Sequence, residues 1–204
     1  MTGVILVAFY VVALLDRATS SRFALWQFAK VQNATVQKDH LDSVQSNGEE
    51  GVDFTLWAEK RILAYKNSLV GKADLPLAVL QIAKVQIRVP VFDGTDDLTL
   101  NRGVGRIIGT AQVGTLGNIG IAGHRDGFFR GLKDISVGDE VDLIMPTAKA
   151  AYVVDQIEIV SPADLQVLQP RRAPSITLVT CYPFYFVGDA PKRFIVHASL
   201  VPAN

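Results

Sequence analysis

The chain carries one cysteine, Cys181, at the end of the apolar, β-branched run Ile176-Thr177-Leu178-Val179-Thr180. Twelve residues later Arg193 opens a second such run, Phe194-Ile195-Val196. A loop containing proline, glycine and aspartate separates the two, so they read as strands able to pair. Paired, they would set a thiol against a guanidinium. The thiolate is the reactive form and free cysteine is mostly protonated at neutral pH, so a nucleophilic role needs a proton partner. Three histidines are available: His40, His124 and His197. His124 is the best placed, because it follows the short apolar run Asn118-Ile119-Gly120-Ile121-Ala122 at a small-residue step, Gly123.

The string Ala122-Gly123-His124-Arg125-Asp126, then Thr177-Leu178-Val179-Thr180-Cys181, then Arg193, resembles the sortase family. Sortases are cysteine transpeptidases that attach surface proteins to cell walls or polymerise pilins. The resemblance covers residues 78–200, and its three motifs are specific when they occur in this order. The wording around Tyr182-Pro183-Phe184-Tyr185 and Ala190-Pro191-Lys192-Arg193-Phe194 is most similar to class D. The resemblance implies three roles. Cys181 attacks the carbonyl between threonine and the next residue of an LPxTG-like C-terminal sorting signal, giving a thioacyl-enzyme. His124 protonates the departing amine and later deprotonates the incoming one. Arg193 stabilises the oxyanion or orients the substrate. The partners implied are exported proteins bearing the signal and an amine acceptor, a cell-wall precursor or a pilin lysine. The chemistry requires no cofactor, and no acidic cluster is specific enough to assign calcium.

Taken singly, each residue has a plainer explanation. A lone cysteine at a strand end is more often a small buried hydrophobe, a turn histidine usually makes one hydrogen bond, and an arginine opening a strand is usually solvated. The combined pattern reverses that reading. Lys192 should point to the opposite face from Arg193, whereas His197, four residues on, should share Arg193's face. There it reads as a satisfied polar residue, and His40 as a solvent-exposed one. Asp126 is placed to orient the imidazole as the third group of a triad would, although the family does not depend on one. Tyr182, Phe184, Tyr185 and Phe186 make an aromatic loop whose rings must pack or wall a peptide groove.

These residues need a scaffold. With 204 residues and 49% hydrophobic composition the chain can bury one sizeable core. Short strands are expected over 78–92, 106–110, 118–122, 140–145, 150–160, 175–181 and 193–200, with a short helical piece over 127–134. Seven or eight such strands suggest a mainly β sandwich or closed barrel. The resemblance selects the eight-stranded barrel, over residues 75–204. Before it, residues 18–74 read as a helical and linker region. Within that region Asp53 looks like an N-cap of a helix over 54–70, with Phe54, Trp57, Ile62, Tyr65 and Leu69 on one face and Gly71 as its stop. Residues 1–17 read as a membrane anchor or export signal, because 4–15 form a continuous apolar run at the N-terminus. Arg17 and Arg22 follow that run, which taken alone favours a cytoplasmic C-terminus. The resemblance implies the reverse, a single-pass anchor with an extracytoplasmic catalytic domain.

Twenty basic and twenty acidic residues leave no electrostatic footprint for nucleic acid. One cysteine excludes an internal disulfide and a four-thiolate zinc site, and disfavours a dithiol redox protein. Two rivals stay open: a cysteine endopeptidase that gives the acyl group to water, and a non-catalytic barrel that binds surface proteins.

Overall fold

The computed structural model describes residues 52, 54–69, 75–185 and 189–202. The apolar run 4–15, the region 18–51, His40, Asp53, Gly71 and Phe186 lie outside the described residues. No helix among the described residues is long and apolar enough to cross a membrane.

Eight strands close a barrel in the order β1-β2-β3-β4-β7-β8-β6-β5. They are β1 Ala78–Ile82, β2 Ile87–Asp93, β3 Val104–Arg106, β4 Asn118–Ala122, β5 Glu140–Ile144, β6 Lys149–Val160, β7 Ser175–Tyr182 and β8 Lys192–Leu200. Two neighbours, β2–β3 and β4–β7, are parallel and the rest antiparallel. The strand side-chain period of two sorts each strand into an inner and an outer face. Leu80, Val89, Ile119, Ile121, Leu178 and Val196 are among the side chains that fill the interior. Asp155 is an extra residue where the β6–β8 register shifts, so Val154 and Ile157 both reach the core although three positions separate them.

The expected strand over 78–92 is two strands. A 3-10 turn, Ala83–Val85, joins them, and Gln86 takes the left-handed conformation at φ 54°. The strand expected over 106–110 ends at Arg106. Arg106 is buried there, donating from Nε to Asp93 and from Nη1 to the carbonyl of Thr110, which bends the chain into a turn. A short helix α2, Asp97–Arg102, was not expected; the Asp96 side chain caps it by accepting from the Thr99 N–H at 3.1 Å.

The helix expected over 54–70 is shorter: α1 spans Glu59–Ser68. Phe54 and Trp57 form a turn before it, and the Ala58 N–H leaves the helix pattern to donate to the Asp126 carbonyl at 3.2 Å. The aromatic rings still pack together, although Phe54 and Trp57 precede the helix instead of lying on its face. Trp57 meets Phe128 edge-on at 4.5 Å between ring centroids, and Tyr65, 2% exposed, contacts both rings. At its other end the Ser68 carbonyl accepts from Nε of buried Arg102, tying α1 to α2.

Candidate active site

Cys181 and Arg193 are direct partners in the antiparallel β7–β8 ladder, so their side chains leave the sheet on the same face. On the other side of β7, β4 runs parallel, with Ala122 beside Val179. Gly123 N–H continues that pairing by donating to the Val179 carbonyl at 3.1 Å, and Thr180 Oγ1 donates to the Gly123 carbonyl at 2.7 Å. One further step along both chains brings His124 to the level of Cys181. Imidazole, thiol and guanidinium therefore come from three neighbouring stretches of chain, with the cysteine in the middle.

All three belong to the outer face. Ile119, Ile121, Ile176, Leu178 and Val196 take the inner positions of the same strands. The outer positions of β4 are Asn118 and the small residues Gly120 and Ala122. A Cβ at Gly120 would lie 3.0 Å from both Leu168 Cδ2 and Thr110 Cγ2, so this glycine lets the β6–β7 connection settle against the sheet.

Gly123 is required for another reason. A Cβ there would lie 2.7 Å from Phe129 Cδ2 and 2.9 Å from Val104 Cγ1, and Phe129 is fully buried. The glycine-histidine step thus lets the chain leave β4 over a buried ring. The His124 carbonyl then accepts from Gly127 N–H and Phe129 N–H, both at 3.2 Å, which folds the following residues into a tight turn leading to a 3-10 turn, Arg130–Asp134.

Burial is the main force on the His124 imidazole and, with the nearby Arg61 guanidinium, brings its pKa down to about 4; Asp126 and Asp97 act in the other direction. His124 Nε2 is buried with no hydrogen-bond partner among the described residues. Asp126 is engaged elsewhere, its carboxylate accepting from Arg61 Nε at 3.1 Å. Cys181 is partly exposed. Arg193 Nη1 donates to the carbonyls of Ala190 at 3.2 Å and Lys192 at 3.0 Å, which turns the guanidinium toward the β7–β8 connection. That connection is built on aromatic packing: Phe184 is buried and meets Phe194 at 5.2 Å, while Arg130 lies over the Tyr185 ring at 4.1 Å and donates to the Phe184 carbonyl.

His197 does not join this row. It is 4% exposed, with Nδ1 3.0 Å from Thr177 Oγ1 and Nε2 2.9 Å from Glu158. Asn118 completes a second polar row, accepting from Thr177 Oγ1 at 2.8 Å and donating from Nδ2 to the carbonyls of Gln169 and Val167. This row crosses β4, β7, β8 and β6 and pins the β6–β7 connection. Sequence reasoning quoted Thr177 and Thr180 only as motif letters; here one fastens that connection and the other fastens β7 to the histidine step. Among the described residues no group of three His, Cys, Asp or Glu side chains is placed to hold a metal ion.

Fold and site together define a closed β-barrel with a cysteine and an arginine paired on neighbouring strands and a histidine just past the end of the strand on the cysteine's other side. A family model described as the sortase domain matches residues 80–201, and the chain belongs to the sortase family. It is class D-like. It is 32% identical over 124 residues to Sortase D of Bacillus subtilis (strain 168), a match covering 60% of this chain and 63% of that protein. Among solved structures, a Clostridium perfringens sortase D5 transpeptidase superposes with a TM-score of 0.57 at 27% identity, covering 73% of this chain and 91% of the other. Sortase E from Streptomyces avermitilis superposes with a TM-score of 0.54 at 33% identity, covering 62% and 88%.

Proposed function

We propose that this chain is a membrane-anchored transpeptidase that cleaves an LPxTG-like sorting signal after its threonine and transfers the acyl group to an amine. The observation that supports this reading is the direct pairing of Cys181 with Arg193 on β7 and β8, with His124 two residues past the end of the neighbouring strand β4.

The half-buried His124 is neutral at pH 7, since its pKa is brought down to about 4. A neutral imidazole accepts the Cys181 proton as Sγ attacks the threonine carbonyl carbon. The carbonyl oxygen gains negative charge, which the Arg193 guanidinium stabilises. The C–N bond then breaks, the departing amine takes the proton from the His124 imidazolium, and the threonine acyl group remains on sulfur as a thioester. An incoming amine attacks that thioester, passes its proton to His124, and leaves as an amide. The proton returns to Cys181.

Holding imidazole low suits the second half of this cycle, because a neutral ring is the form that takes a proton from the acceptor amine. The acceptor is a cell-wall precursor or a pilin lysine, and the apolar run 4–15 anchors the chain with the barrel outside the cytoplasm.

Mass spectrometry of the full chain with LPxTG-type peptides and an added amine tests this. A thioacyl adduct on Cys181 and an amide product, both absent in Cys181→Ala, are expected. An adduct that yields only free acid assigns a peptidase. A folded protein with no adduct, whose Cys181 resists alkylation, assigns a binding barrel.

A further inference from the structure

Helix α1 precedes the segment that matches the family, yet it is fastened to the turn that carries His124. Arg61 lies at the centre. Its Nε donates to Asp126 Oδ1 at 3.1 Å and its Nη1 to Asn101 Oδ1 at 2.6 Å, so it bridges the histidine turn to α2. The side chains of this ion pair are 21% and 33% exposed. The Ala58 N–H adds a bond to the Asp126 carbonyl, and the Trp57 edge packs on Phe128. Gly127 admits the arginine stem, since a Cβ there would lie 3.0 Å from Arg61 Cγ.

We propose that Arg61 is a positioning residue for the reaction: clamped between Asn101 and Asp126, it fixes the turn from His124 to Phe129 and thereby the imidazole beside Cys181. The assignment rests on the transpeptidase reading. Displacing a reacting group by about an ångström through a remote contact costs on the order of 100-fold in rate, so such a clamp has catalytic weight without touching substrate.

The charges around His124 give the clamp a signature. Arg61 faces it from α1, Asp97 from α2 and Asp126 from its own turn; Arg125 is its chain neighbour and Cys181 stands level with it on β7. Arg61 disfavours the imidazolium, while Asp126 and Asp97 favour it. Removing one member of the ion pair therefore moves the imidazole in the direction opposite to removing the other.

The test is a carbon-13 histidine NMR titration of the full chain in detergent micelles, with the His124 signal identified by its loss in His124→Gln. Arg61→Met should raise the His124 pKa, Asp126→Asn should lower it, and Arg61→Lys should hold it near the parent value. In parallel, kcat on an LPxTG-type peptide should fall about 10- to 100-fold in Arg61→Met with KM within about twofold, and recover in part in Arg61→Lys. An unchanged kcat in Arg61→Met or in Asp126→Asn overturns the proposal. If Arg61→Met does not fold, Asp126→Asn and Arg61→Lys still decide. The titration needs no substrate, so a parent chain without acyl transfer would sink the transpeptidase reading and leave the charge coupling readable.

Discussion

Arg193 stands directly opposite Cys181 in the β7–β8 ladder, and its Nη1 is turned toward the Ala190 and Lys192 carbonyls. The guanidinium is thus held by the connection that follows the cysteine. Lysine keeps the charge but loses the planar fork that can bond those carbonyls and an oxyanion together. We expect Arg193→Lys to lower kcat on a sorting-signal peptide by about 100-fold. The rate of Cys181 alkylation by iodoacetamide should stay within a few-fold of the parent; an equal loss in both would assign Arg193 to activating the thiol instead.

Gly123→Ala places a methyl group 2.7 Å from the Phe129 ring, which is fully buried and cannot swing aside. Overpacking of this kind costs about 1–3 kcal/mol. Urea unfolding should show a lower midpoint at unchanged slope, and peptide turnover should drop more than the folded fraction does. A parent-like midpoint would mean that the barrel relaxes around Phe129.

The His124 pKa also makes a statement about stability. In the unfolded chain an imidazole titrates near 6.5, and in the folded one burial, with Arg61, brings this group down to about 4. The unfolded state therefore binds the proton more tightly. Stability from this residue is flat above about pH 6.5, falls as pH drops, and levels off below about 4. At 1.36 kcal/mol per unit the loss is at most about 3 kcal/mol. Burial alone would push Asp139 and Asp155 up, but hydrogen bonds from Lys84 to one and from Arg171 and Ser199 to the other hold both below 3.8, so their losses begin at lower pH. Denaturation midpoints measured from pH 7 to 4 should slope in the parent and flatten in His124→Gln. A slope that survives the substitution would assign it to other groups.

The second polar row predicts an effect on the β6–β7 connection. Asn118 donates to the Gln169 and Val167 carbonyls, and its Oδ1 accepts from Ser175 and Thr177. Asn118→Ala leaves buried hydroxyls and carbonyls unpaired, at a cost of about 1–3 kcal/mol. It should free the β6–β7 connection to limited proteolysis. Resistance to protease equal to the parent's would show that Leu168 packing over Gly120 suffices to hold the connection.

Much of the barrel was legible because its strands are short and cleanly bounded. The run Asn118 to Ala122 and the closing strands fall where composition and turn residues put them. The β1–β2 turn was not legible, since Ala83-Lys84-Val85-Gln86 contains none of the usual turn formers and Gln86 adopts positive φ without glycine. The early part of the expected helix failed for a tertiary reason: the Ala58 N–H is taken by Asp126. The pairing of Cys181 with Arg193 followed from a short loop between two strands. His124 was chosen from its local pattern, but its nearness to Cys181 came from family resemblance alone. Arg61 left no local trace, because its partner Asp126 is 65 positions away.

The parallel pairing of β4 with β7 has one more consequence. No tight turn can make such a pair; the chain must go round through β5 and β6 before the two strands meet, and Gly123 and Thr180, bonded in the fold, are 57 residues apart along it. Under the proposed mechanism, Cys181 and His124 are strangers until that long-range closure is complete. Before closure the polypeptide carries a thiol and an imidazole but, on the proposed reading, no acylating centre. On that reading, barrel closure itself switches the reactivity on.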